Sequence, residues 1–170
     1  MVLTETSVLR WRQSGLAVLW ISALVIGCDQ WTKWLVEANL VPHQPVVVAP
    51  LINLTLTYNT GAAFSLLSQA SGWQRWFFAG IAVIVSIVIV YWLRRMPVEE
   101  RLTTSSLAMI LGGALANAYD RVMLGHVIDF IDVYINNWHW PAFNVADSAI
   151  SVGAVLLIID SMRGGGRRRA

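Results

Sequence analysis

The chain has 170 residues, 56% of them hydrophobic and 13% charged, with a net charge of +2 and a mean hydropathy of +0.59. About a quarter of residues are charged in soluble domains, so the composition excludes an ordinary soluble protein and points to a small membrane protein with no separate soluble domain. The single cysteine excludes an internal disulfide, no CxxC or HExxH spacing suggests a metal, and the slight basicity requires no nucleic acid, because the arginines cluster at the ends of apolar segments.

Arg10 and Arg12 precede an apolar run from Gly15 to about Val36, long enough at about 20 residues per span to cross a bilayer. Asp29 and Lys33 lie at i and i+4 with the acid N-terminal, the favourable order for a helical ion pair. They are read either as a self-satisfied pair near the interface or, for Asp29, as a group facing a site. The same region, ending in Val25-Ile26-Gly27-Cys28, also outlines a lipoprotein signal peptide with its lipid-modified cysteine. Three further spans with no soluble domain to anchor favour Cys28 as a small packing residue instead.

No Lys or Arg occurs from Glu37 to Gly72. Pro42, Pro45 and Pro50 interrupt helix, while Val46-Val47-Val48 and the alternating Leu54-Thr55-Leu56-Thr57-Tyr58 predict short strands. Open sheet edges are not viable in lipid, so this small sheet is expected at the interface, its apolar face toward the membrane. Asn59-Thr60-Gly61 then forms a turn, and Ala62 to Leu67 an apolar element dipping back toward the bilayer. A sheet edge here suits an extended peptide held by strand addition.

Trp73 and Trp76 suit an interface, and the second span, about 73–93, holds an uncharged run from Trp76 to Leu93 that no polar residue but Ser86 interrupts, a structural wall. Arg94, Arg95, Glu99, Glu100 and Arg101 form a charged turn before a third span over about 102–120. Gly112 and Ala116 are a small-xxx-small pair, while Gly113, Asn117 and Asp120 share a neighbouring face. Asp120 and Arg121 are expected to pair with other groups at the helix end, as scaffolding. From Val122 to Trp140, Asp129, Asp132, Phe130, Tyr134, Trp138 and Trp140 suit an interfacial loop or helix. The last span covers about 141–160, with Pro141 in its first turn. Asn144, Asp147, Ser148 and Ser151 make a stripe on it that must face inward.

Two Lys or Arg precede the first span, three lie in the middle turn and four in the tail, against Lys33, Arg75 and Arg121 at the opposite margins. Both termini are therefore expected in the cytoplasm, with 37–72 and 122–140 outside. At about 1.5 Å per residue, Asp29 and Asp147 each stand roughly 20 Å from the inner ends of their helices, and Asp129 joins them from the outer loop. Ionisable groups at membrane depth normally mark a protein interior or wet cavity with a function. Two carboxylates sharing a site do not both ionise easily, so one holds a proton while the other activates water, the logic of aspartic proteases. His43, His126 and His139 lack regular ligand spacing, and no Ser or Cys nucleophile has a base partner.

Asp29-Gln30-x-x-Lys33, Tyr58-Asn59-Thr60-Gly61-Ala62-Ala63-Phe64, Asn117-x-x-Asp120-Arg121, Val127-x-Asp129-Phe130 and Phe143-Asn144-x-Ala146-Asp147, in this order, resemble the bacterial lipoprotein signal peptidase (signal peptidase II) family. The resemblance implies an all-α polytopic membrane protein of four transmembrane helices with a small extracytoplasmic β-sheet, the cradle, in the inner membrane. It implies an aspartyl dyad of Asp129 and Asp147 that cleaves a signal peptide before a diacylglyceryl-modified cysteine, with no cofactor. Asp29, Asn59, Asn117, Arg121 and Asn144 would support the site or contact substrate; Lys33, Gly61 and Asp120, within the same motifs, join them. Diacylglyceryl-modified prolipoproteins and membrane lipid are the implied partners, and globomycin-like peptides the implied inhibitors. Ala116 departs from the glycine the family commonly has before the asparagine. A small proton-coupled transporter or channel component is the alternative, although no internal repeat of the transporter kind is present. An assembly factor using the polar stripe for helix contacts is a third.

Overall fold

The computed structural model describes residues 11–61 and 72–164, so the expected apolar element at Ala62 to Leu67 lies outside the described residues. Among the described residues the apolar runs form four α-helices: α1 (Leu19–Asn39), α2 (Trp73–Arg95), α3 (Arg101–Met123) and α4 (Val145–Gly164). Three of them are long and apolar enough to cross a membrane: α1 with its preceding 3-10 turn, α2 and α4. The fourth, α3, carries Thr103, Thr104, Ser105, Ser106, Asn117 and Asp120. It tolerates them because it packs against the other three helices and buries several faces, through Leu107, Leu111, Ala116 and Asp120 among others. By contrast α2 turns Val83, Ile84 and Ile87 outward and buries only a narrow side that includes Ala79, Ile89 and Leu93.

Small residues set how closely α3 approaches its neighbours. A side chain at Gly112 would come within 2.8 Å of the Ser22 carbonyl of α1, and one at Gly113 would meet the Ala146 carbonyl of α4. Ala116 is fully buried, so the alanine at this position fits within the packed interface. Helix α3 ends at Met123, and Gly125 just beyond it has a φ of 87° that is open to glycine and an N–H that reaches back to the Asp120 carbonyl at 3.2 Å.

The strands β1 (Val46–Ala49), β2 (Ile52–Asn59), β3 (Val127–Ile135) and β4 (Trp138–His139) form one antiparallel sheet in the order β1-β2-β3-β4. The first two lie where alternation and β-branched residues predict them. The expectation of an interfacial loop or helix over 122–140 is corrected: Val127–Ile135 is a central strand. Its β-branched and aromatic residues fit a pleated surface, and it pairs with β2 on one side and with β4 and Phe143 on the other. Pro141 does not begin the last helix either. Residues 141–144 run extended, with the Phe143 N–H donating to the Ile131 carbonyl at 3.1 Å, and α4 starts at Val145. Leu56, Ile128 and Phe130 pack on Val36 of α1, with Val145 of α4 alongside. Each such side chain contributes roughly 1.5–3 kcal/mol by burial, enough to seat the sheet across the C-terminal end of α1 and the N-terminal end of α4.

Candidate active site

Asp129 and Asp147 are 18 positions apart in sequence but line one cavity of about 650 Å³. Asp129 stands opposite Thr57 in the β2–β3 ladder, beside the end of the sheet where Asn59 turns away. Its Oδ2 accepts from the Asn59 Nδ2 at 3.0 Å and its Oδ1 from the Asn144 Nδ2 at 2.7 Å. Burial first, and the charge of Asp147 second, push the Asp129 carboxyl up to about 7, against the pull of these two amides.

Asp147 is the third residue of α4, and Asn144 is the cap before its first turn. The Asp147 N–H donates to Asn144 Oδ1 at 2.9 Å, and the Asn144 N–H reaches Asp147 Oδ2 at 3.4 Å, a reciprocal capping box. The other oxygen, Oδ1, accepts from Asn117 Nδ2 at 2.8 Å. The Asn144 side chain therefore touches one acid through its amide nitrogen and fixes the other through its oxygen.

Beneath the acids, Lys33 is 2% exposed and Asp29 fully buried. Lys33 Nζ lies 2.6 Å from Asp29, 2.7 Å from Asp120 and 3.1 Å from Asn117 Oδ1. The Asp29–Lys33 pair predicted from their spacing is thus made, but deep in the protein and shared with α3. Asp29 also faces α4, where its Oδ1 accepts from the Ala146 N–H at 2.8 Å. Arg121 spans the rim, donating to the Asn117 and Gly61 carbonyls, both at 3.2 Å, with its guanidinium over the Phe78 ring. Asn59, Asn117 and Arg121 line the cavity with the two acids, and Gly61 closes an Asx turn onto Asn59 Oδ1.

Trp140, Pro141 and Phe143 also line the cavity, a role hidden in the sequence because this segment reads as an interface and a helix start. The histidines do not converge on it. His139 pairs with Asp132 at 2.8 Å on the opposite end of β3, and His126 sets its ring edge against Tyr58. Among the described residues no three His, Cys, Asp or Glu side chains come together as metal ligands would.

A family model described as signal peptidase (SPase) II matches residues 21–163. The chain is 53% identical to a lipoprotein signal peptidase of Alteromonas mediterranea, covering 92% of this chain and 86% of that one. It is 54% identical to one of Pseudomonas aeruginosa, covering 85% and 87%. Two solved structures described as bacterial membrane enzymes superpose with TM-scores of 0.79 and 0.73. They are 30% and 32% identical to the chain, covering 90% and 85% of it and 92% and 91% of themselves. The chain belongs to the signal peptidase II family.

Proposed function

We propose that Asp129 and Asp147 are the catalytic dyad of an aspartic endopeptidase, which removes the signal peptide of prolipoproteins immediately before a diacylglyceryl-modified cysteine. Family membership makes the chain a multi-pass membrane peptidase. The observation that carries the aspartic reading is the Asn144 amide, which engages both acids in one cavity.

With a proton on Asp129 and a charge on Asp147, a water held between them loses a proton to Asp147. Its oxygen then attacks the scissile carbonyl carbon, while Asp129 transfers its proton to the carbonyl oxygen. As the C–N bond breaks, the proton on Asp147 passes to the leaving amine, and Asp129 regains its own from the collapsing diol. Asn59, Gly61 and Arg121 at the cavity rim hold the substrate backbone, and Asp29, Lys33, Asn117, Asp120 and Asn144 support the acids. No metal takes part, and globomycin-like peptides compete for the same cavity.

The whole chain is one membrane domain in the bacterial inner membrane, with α3 as a fourth span shielded by the other three. The placement of Lys and Arg supports cytoplasmic termini and a periplasmic sheet and cavity. The test is single-turnover cleavage of a lipidated proprotein by the purified enzyme in detergent, read by product mass. Asp129→Asn and Asp147→Asn should each abolish nearly all cleavage, with the double variant scarcely worse, because groups acting as a unit give non-additive losses. Near-normal cleavage by either single variant, or losses that add in full, would overturn the dyad.

A further inference from the structure

The contacts of Lys33 reach both acids, through three separate routes. Asp29, 2.6 Å from Nζ, holds the Ala146 N–H, the residue before Asp147. Asp120, 2.7 Å from Nζ, receives the Ile128 N–H at 3.4 Å, the residue before Asp129. Asn117, whose Oδ1 is 3.1 Å from Nζ, turns its Nδ2 onto the Asp147 carboxyl at 2.8 Å. Gln30 closes the group by donating to Asp120 at 2.7 Å.

The Asn117 orientation is decided by chemistry alone. An ammonium donates and never accepts, and the Asn144 amide nitrogen donates to the same Asn117 oxygen at 3.2 Å. A flipped Asn117 would set nitrogen against these two donors and oxygen against a carboxylate, losing all three bonds. Lys33 thus leaves one orientation, the one that offers Asp147 a donor.

We propose that Lys33 is a positioning residue for the dyad, fixing the separation and orientation of Asp129 and Asp147 from below without touching substrate. This rests on the aspartic reading above. It explains why a lysine is buried here between two acids, where a simple ion pair with Asp29 would need neither Asp120 nor Asn117. Removing Lys33 alone would strand two buried carboxylates and endanger folding. The informative variant is therefore Lys33→Met combined with Asp29→Asn and Asp120→Asn, a neutral group of similar volume, with Lys33→Arg as a second variant that keeps the charge but moves the donors.

Both are assayed beside the wild type with a lipidated proprotein, by kcat, KM, thermal midpoint and pH profile. Wild-type inactivity would refute the peptidase reading itself, whatever the variants do. If Lys33 positions the dyad, folded variants should lose roughly ten- to a hundredfold in kcat with KM nearly unchanged, as outer-shell losses and small misplacements do. The acid and alkaline limbs of the profile should also draw together, since their spacing reports the coupling between the two carboxyls. A purely structural lysine would lower the amplitude in proportion to lost folded enzyme and leave both limbs in place. That result, or a folded variant of either kind with wild-type kcat, overturns the proposal.

Discussion

Asn144 has two separable duties, and substitution can divide them. Its Oδ1 caps α4 through the Asp147 N–H, and its Nδ2 supplies Asp129, lying also within 3.2 Å of the Ile128 carbonyl and Asn117 Oδ1. Asn144→Ser keeps a capping oxygen but has no amide nitrogen to reach Asp129. Asn144→Ala loses both. Loss of a helix cap costs about 1 kcal/mol, and a buried polar group left without its donor a further 1–3 kcal/mol or so. The second cost falls on both variants, so they should differ by the cap alone, about 1 kcal/mol. For a chain of this size that is a gap in melting temperature of roughly 2–4 °C, with Ser above Ala. Cleavage should behave otherwise: both variants lose the donor to Asp129 and both should fall on the order of a hundredfold, the scale for one preorganised donor. Thermal melting in detergent and single-turnover cleavage of a lipidated proprotein, run on the same preparations, measure the two effects. A Ser variant with near-normal cleavage would refute the link from Asn144 to Asp129. Equal melting of Ser and Ala would refute the cap.

The Asp129 carboxyl, raised from 3.8 to about 7, gives a signed pH dependence. Between those values the folded protein holds a proton that the unfolded chain has released, so this contribution to stability is fully present below about pH 4 and is lost as pH rises through about 7. Melting temperature should decline across that interval in the wild type and decline less in Asp129→Asn; equal slopes would refute the assignment. Gly113→Ala should displace the first turn of α4, because its Cβ would meet the Ala146 carbonyl and lie 2.7 Å from Ile150 Cγ1, costing about 1–3 kcal/mol and most of the cleavage. Gly27→Ala, with nothing within 4 Å, should leave both near wild type, and a reversed order in melting and cleavage assays would refute the packing argument. Val47→Cys should react with a membrane-impermeant maleimide from outside intact cells and Glu99→Cys should not, both residues being exposed; the opposite pattern would invert the topology.

Features that depend on neighbours in sequence were legible from it. The Asp29–Lys33 spacing, the small residues at Gly112 and Gly113, the valine-rich β1 and the alternating β2 each follow from a local period, and each has its counterpart in the structure. The site required long-range information. Lys33 meets Asn117 and Asp120 only because α1 and α3 cross, 84 and 87 positions apart in sequence. No local pattern announces that the ion pair with Asp29 is shared. The strand β3 was obscured by its aromatics, Phe130 and Tyr134, which suit an interface as well as a sheet. Its alternation is also blurred, because Asp129 and Asp132 fall on opposite faces, one toward the cavity and one toward His139. Pro141 is ambiguous in sequence, because proline at the start of a helix and proline in an extended lead-in have the same local signature. Phe143 pairing with Ile131 decides between them.

The location of the acids follows from where backbone donors are available at the edge of a helical bundle. A helix N-terminus leaves N–H groups without intrahelical partners, and α4 begins directly against α1, α3 and the sheet, where water has limited access. Side chains must therefore supply acceptors, and they do so with charge: Asp29 at Ala146 and, through Asn144, the capping box with Asp147. The positive end of the helix dipole favours these carboxylates. Asp129 has no such helix end, only two amides, and burial together with the charge of Asp147 raises its carboxyl to about 7. In the mechanism proposed above, the sheet would supply the acid that holds its proton and the helix terminus the one that takes a proton from water. Two aspartates with the same intrinsic chemistry thus stand in different backbone settings, one on a strand and one in the first turn of a helix.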